Sequence, residues 1–391
     1  MAKDIAVGID IGTYQVKVMV AERLSTAKKE PPRIIGTGFT ESRGLRHGYI
    51  VNQEDVTRSV LAALGQAERA SGAKIKRATI AIGGVGLGSI VSTGGVAISR
   101  ADAEVSEHDI EAAIEQSKKE IQPALIINRT ILHILPIQYR LDGKIIASNR
   151  PIGLKGTRLE VKTLFITSME QHFNDLIAAV ENAGVEVEDT VASPIAASEV
   201  TLTKAQKIAG VVLTNIGAET VTIVVFEEGI PISLEIFPLG STDITNDIAL
   251  GLKIPLEEAE DLKRGNISQT EYPKRKLDEI VSARLSDIFE LIEAHLKKIG
   301  KNGLLPAGIV LTGGGSGITT IEDLAKASLN LPSRVASLGI RGSIKDAFWS
   351  VSYGLCSMTL SGNIIGQAMP QQTGLNRFLK SIKRVGRSIL P

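Results

Sequence analysis

The chain repeats its own plan. Residues 4–21 read DIAVGIDIGTYQVKVMVA and residues 210–226 read GVVLTNIGAETVTIVVF. Each is a short apolar run, a glycine-bearing turn and a second run with alternating apolar positions, the pattern of a β-hairpin. Setting Asp10 on Asn215 aligns Ile11-Gly12 with Ile216-Gly217, and Val16 and Val18 with Val221 and Ile223. The likeness continues downstream in the same order. A helical stretch over Gln53–Ser71, a strand over Ala78–Ile82 and Gly83-Gly84 in the first half match a helix over Leu277–Ile299, a strand over Gly308–Thr312 and Gly313-Gly314-Gly315 in the second. Two such matches in register predict a duplicated α/β fold, two similar domains with a cleft between them.

Each half carries an insertion. Residues 85–160 read strand, helix (106–120) and two strands, a small α+β unit. Residues 243–306 read as helices over 243–251, 255–264 and 277–299, with Pro255 at a helix start and Gly265 at a stop. The expected division is therefore 1–84 with 161–205 as the first domain and 85–160 as its insert. The second domain is 206–242 with 307–360, and 243–306 is its helical subdomain. Residues 361–374, glycine- and glutamine-bearing, read as a linker before a tail at 375–391.

Composition fits two globular domains in 391 residues. Aromatic residues are 4% of the chain, so the core must rest on Val, Ile, Leu and Ala. The single cysteine, Cys356, lies in an apolar stretch and is expected to pack, since it has no internal disulfide partner. The first residues lack the apolar run of an export signal, and no stretch is long and apolar enough to span a bilayer. A cytoplasmic protein is expected.

Three turns could hold phosphate. Asp10-Ile11-Gly12-Thr13-Tyr14-Gln15 sets a carboxylate and a hydroxyl beside backbone amides that can form a nest for anionic oxygens. Asp10 could hold Mg²⁺ through water, because Mg²⁺ keeps most of its hydration shell. An ordinary tight turn would also use Asp and Gly. The turn 214–220 would face the first from the other half. Gly313-Gly314-Gly315-Ser316 follows a strand, and three glycines there are expected to serve close approach of a ligand rather than packing.

The tail reads LNRFLKSIKRVGRSILP. On a helical projection Leu375, Phe378, Leu379, Ile382, Val385, Ile389 and Leu390 share one arc, and Arg377, Lys380, Lys383, Arg384 and Arg387 fill the other side. No acid is present, so the rest of a chain with net charge +1 is mildly acidic. An interfacial membrane helix has this composition. Each cation near an anionic surface contributes on the order of 1 kcal/mol, which makes attachment reversible unless copies assemble. A helix docking on another protein is the alternative. Nucleic-acid contact is not expected, since one aromatic is available for stacking and the apolar face would be idle.

Together these elements resemble the nucleotide site of the actin, Hsp70 and sugar-kinase superfamily, in which two phosphate hairpins and a glycine-rich adenosine motif enclose Mg-ATP. Within it the chain is most similar to the bacterial cell-division family FtsA, on GIDIGTYQVKV, LGSTDITNDIALGLKIPLEEAEDLKRGN, VLTGGGSGI and the basic amphipathic end. The resemblance implies that Asp10, Gly12, Thr13, Tyr14 and Gln15 form the first phosphate loop. Asn215, Gly217, Ala218, Glu219 and Thr220 would form the second. Gly313, Gly314, Gly315 and Ser316 would lie against adenosine, with Glu260 and Lys263 near ribose and base. For that last pair a surface ion pair on a helix is the alternative. The resemblance further implies filaments of the chain itself, tethering of the tubulin-like ring protein FtsZ to the inner membrane face through 243–306, and contacts with later division proteins.

The chain departs from the superfamily at one place. The second phosphate loop usually begins and ends with aspartates, where this chain has Asn215 and Thr222, and Glu219 adds a charge close to the expected phosphates. At most weak ATP hydrolysis is expected, and no catalytic base can be assigned. A pilus-assembly scaffold of the same fold, or an actin-fold small-molecule kinase, are the alternatives. The basic tail argues against the first and the missing aspartates against the second.

Overall fold

The structure, a computed structural model, describes residues 4–23, 31–147, 150–266, 272–339 and 346–362. Two five-stranded sheets share one topology. In the first half the strands run in the order Glu186–Ala192, Arg77–Ile82, Ile5–Ile11, Gln15–Glu22, Arg33–Glu41; in the second, Ser333–Val335, Ile309–Thr312, Val211–Ile216, Val221–Glu227, Ile230–Phe237. Three strands pair antiparallel and the outer two join in parallel, identically in both. The strands are near-continuous runs of buried Val and Ile because helices cover their faces.

Sequence punctuation sets the helices. Asn52 accepts hydrogen bonds from the Glu54 and Asp55 amides and Gly72 closes the helix Gln53–Ser71 in a left-handed conformation, so both ends are capped. In the second half three helices stand in the equivalent place: Ser241–Leu252, Leu256–Lys263 and Lys274–Lys298. The buried stripe Leu277, Val281, Leu285, Ile288, Ile292, Leu296 of the last one faces the second core.

Each half ends in a helix, Ser193–Thr201 and Ser350–Ser361, and the two cross where Gly354 meets Ala196. A Cβ on Gly354 would lie 1.9 Å from the Ala196 carbonyl oxygen, so the crossing requires glycine. The second helix also rests on the first sheet, burying Cys356 against Ala6 and Met19. Burial pushes that thiol up to about 12, which leaves it a packing residue.

The insert of the first half is a sheet ordered Leu87–Ala97, Arg158–Met169, Arg129–Leu141, Lys144–Ile145, with the helix Glu107–Lys119 on one face. Strand Arg158–Met169 runs on past residue 160 to the helix Glu170–Glu181 of the first half, so insert and parent share that strand. Buried His133 on the insert accepts a hydrogen bond from the Ala192 amide at 3.0 Å, and Ser89 Oγ donates to the Leu234 carbonyl at 2.7 Å. The insert thereby touches both halves.

Candidate functional site

Both hairpin turns are built alike. The Gly12 amide donates to the Gln15 carbonyl at 3.1 Å, and the Gly217 amide to the Thr220 carbonyl at 2.8 Å. In each case the residues just after the third strand bind the turn's other carbonyls. Ser42 Oγ donates to the Gly12 carbonyl at 2.6 Å and its amide to that of Tyr14 at 2.9 Å. Ser241 and Thr242 donate their amides to the carbonyls of Gly217 and Ala218, at 2.9 and 2.8 Å. With carbonyls engaged on that side, each turn has amides left to meet an anion.

The register of the hairpins decides what flanks these turns. Asp10 pairs with Lys17 in the first, and Asn215 with Thr222 at the equivalent positions of the second. Lys17 Nζ sits 2.7 Å from Asp10 Oδ2 and also donates to the Phe348 carbonyl at 3.0 Å, with both side chains largely buried. Lys17 is a site residue that reading the turn by itself misses; the signal was available, since a turn closed between Gly12 and Gln15 sets position 17 opposite position 10. Ala347, next to Phe348, accepts a hydrogen bond from Thr312, and Thr312 neighbours Asn215 in the second sheet. This chain of contacts brings the three expected turns to one seam between the halves.

The third turn rests on the second. Gly313 has φ of 87°, and a Cβ there would lie 2.2 Å from Asn215 Oδ1; one on Gly315 would lie 2.5 Å from Ile216 Cγ2. Packing therefore does explain two of the three glycines. Gly314 is exposed with nothing near its Cβ position, so it alone is open to a ligand. Ser316 is buried and its hydroxyl donates to the Gly313 carbonyl at 2.7 Å, which stiffens the turn.

Glu219 does not point its charge at the other turns unpartnered. Its Oε2 accepts the His47 amide at 2.5 Å, and His47 Nδ1 lies 3.2 Å from the Glu219 carbonyl, a contact from one half to the other. Ala218 and Thr220 beside it are half-buried, as is Thr13 in the first turn, whereas Tyr14 is exposed. Ser193, at the connection to the second half, is buried and stands beside Gly83.

Glu260 and Lys263 meet as an i,i+3 pair at 2.6 Å, packed against the residues that hold the second turn rather than on a free surface. The Lys263 ammonium reaches Glu260, the Ser241 carbonyl at 3.0 Å and Thr245 Oγ1 at 2.8 Å, and burial pulls it below its ordinary value against the opposing charge. Its role in the structure is to tie the helix Leu256–Lys263 to the residues that hold the second turn. Burial would raise the Glu260 carboxyl, but hydrogen bonds from Lys263 and Thr245 outweigh it and hold it low. Arg264 Nε adds a contact to Glu260 Oε1 at 2.8 Å.

The donor set fits an ion carried by phosphate and not one held by protein alone. Asp10, paired with Lys17, and the amide of Asn215 flank the two turns, the Glu219 carboxylate is engaged by His47, and among the described residues no cluster of three or more His, Cys, Asp or Glu could hold a metal. Among the described residues no helix is long and apolar enough to cross a membrane. The tail residues Leu375–Leu390 lie outside the described residues.

Solved structures show where this fold occurs. The chain overlays the PilM–PilN type IV pilus biogenesis complex with a TM-score of 0.67 at 16% identity, covering 91% of this chain and 98% of that one. It overlays MreB5 of Spiroplasma citri bound to ADP with a TM-score of 0.52 at 14% identity, covering 92% and 98%. At these identities the likeness is one of fold, and the fold is actin-like.

Sequence relatives are more specific. The family profile described as cell division protein FtsA matches residues 212–354, and that of the SHS2 domain inserted in FtsA matches residues 84–167, the inserted sheet. Cell division protein FtsA of Pseudomonas aeruginosa is 30% identical over 96% of this chain and 97% of its own length. That of Bacillus subtilis is 30% identical over 94% and 88%. End-to-end likeness at this level, with the family's own insert in its place on an actin-like frame, makes the chain a member of the cell division protein FtsA family.

Proposed function

We propose that this cell-division protein binds Mg-ATP between its halves, assembles into filaments on the cytoplasmic membrane face and tethers the FtsZ ring there. The observation that carries the nucleotide part is the equivalence of the two turns: same closing hydrogen bond, same engagement of carbonyls, and both at the seam where the third turn lies. Gly12–Gln15 and Gly217–Thr220 would cradle phosphate oxygens from opposite sides. Gly314 would let adenosine approach backbone, and Glu260 would accept from a ribose hydroxyl. Mg²⁺, when bound with the nucleotide, would offset phosphate charge, and Asp10 would orient its water.

Hydrolysis is expected to be slow. Asn215 and Thr222 stand where the second loop usually has aspartates, and the Glu219 carboxylate is engaged by His47, so that loop offers no free carboxylate to the phosphates. This also weighs against a small-molecule kinase, which needs a catalytic base.

Residues 375–391 would supply the membrane hold, 243–306 the FtsZ surface, and the insert at 85–160 contacts with further copies and later division proteins. Liposome co-sedimentation tests the tether, using the full chain and a version ending at Gly374, on anionic and neutral lipids, with and without Mg-ATP. Pelleting that selects anionic lipid, rises with Mg-ATP and disappears on truncation is expected. Equal pelleting of both versions, or none on any lipid, would refute the tether.

A further inference from the structure

One contact joins the helical subdomain to the tip of the first turn. Arg264, the residue that ends the helix Leu256–Lys263, donates from Nη2 to the Tyr14 hydroxyl at 3.0 Å, across 250 positions of sequence. Its guanidinium carbon also stands 5.8 Å from the Tyr14 ring centroid, within reach of a cation–π contact. The same side chain is anchored from behind by Glu260 at 2.8 Å, and Glu260 by Thr245 at 2.6 Å. Its charged state is reinforced by Tyr14 first and Glu260 second. Tyr14 projects from the tip of the first hairpin, whose backbone Ser42 holds. A fork fixed in the helical subdomain therefore grips a ring fixed in the first half.

We propose that Arg264 and Tyr14 form a latch over the nucleotide seam, so that a bound nucleoside triphosphate leaves only after this contact opens. The proposal rests on the nucleotide reading above and adds its regulation. Glu260, expected beside the ribose, is the same group that orients Arg264. Occupancy at Glu260 and closure by Arg264 are thereby coupled through one carboxylate. Arg264 is a positioning residue in this account, acting through Tyr14 and Glu260.

The test is the release rate of a fluorescent ATP analogue, chased with unlabelled ATP in the presence of Mg²⁺, from the full chain and four variants. Arg264→Ala and Tyr14→Ala should each speed release about three- to tenfold, in keeping with one exposed charge-assisted contact. Their combination should release no faster than either alone. Tyr14→Phe, which keeps the ring and loses the hydroxyl, should fall between. Unchanged release in the single variants, or effects that multiply in the double, would overturn the latch while leaving the nucleotide site intact. Failure of the unaltered chain to bind the analogue would overturn the nucleotide reading and this proposal with it. Both residues are substantially exposed, so loss of folding does not confound the comparison.

Discussion

The two hairpins share a backbone and differ in their charges. At equivalent positions the first carries Asp10 against Lys17, joined at 2.7 Å and largely buried, and the second carries Asn215 against Thr222, a neutral pair. Duplication conserved the turn, its closing hydrogen bond and the serine that follows the third strand. At these matched positions the ion pair is present in the first hairpin only. A seam built this way has a carboxylate beside the turn in one half and none at the matching position in the other, which is why the proposed nucleotide binding is expected without efficient turnover.

The sharpest way to break the contrast is to remove one ion. Lys17→Ala leaves the Asp10 carboxylate buried without its cation and should destabilise the protein by about 3 kcal/mol. Thr222→Ala, at the matching place, should lose less than about 1 kcal/mol. Chemical denaturation of both variants measures the difference, and equal losses would mean that the buried pair is not what distinguishes the halves.

Next in size is the third turn, which leans on the second hairpin. Gly313→Ala places a Cβ against Asn215 at positive φ and should lose about 2–3 kcal/mol, whereas Gly314→Ala should change stability by less than about 0.5 kcal/mol. Gly314→Ala should instead weaken ATP binding. A Gly314 variant that loses stability but not affinity would place the open glycine in packing after all.

A third carboxylate calibrates the first. Asp109 in the insert is buried without a cation, accepting from the amides and hydroxyls of Ser99 and Ser106. Burial would raise its carboxyl, but those hydrogen bonds prevail and hold it well below the ordinary aspartate range. Its folded value being depressed, its stabilisation is fully present above the unfolded aspartate value, about 3.9, and is lost as pH falls through the folded one. Asp109→Asn should lose about 1–2 kcal/mol at neutral pH and flatten the acid limb of the stability curve. An unchanged limb would contradict this.

The smallest effect restores symmetry. Asn215→Asp returns a carboxylate to the second hairpin and should raise ATP turnover a few-fold over background, with stability nearly unchanged, as read by steady-state phosphate release. No rise would mean that Thr222 or Glu219 also limits hydrolysis.

Much of this frame was legible in the chain. The helix Gln53–Ser71 agreed with its expected ends because Asn52 and Gly72 punctuate it locally. The long helix of the second half begins at Lys274 rather than Leu277, since its first turn is Lys-Arg-Lys and shows no apolar periodicity to read. The duplication was visible because both turns repeat glycine at one spacing. Lys17 was missed because its role comes from cross-strand register, and His47 and Arg264 because their partners lie in the other half. The glycines of 313–315 looked alike in sequence, yet Asn215 and Ile216, some hundred positions away, assign two of them to packing.

Calorimetric titration of ATP into the full chain, with and without Mg²⁺, and into Asp10→Asn tests the central claim most directly. The account predicts one ATP per chain, tighter with Mg²⁺ and greatly weakened in the variant, with turnover near background. No binding to the full chain, or Mg²⁺-independent binding that Asp10→Asn leaves intact, would contradict it.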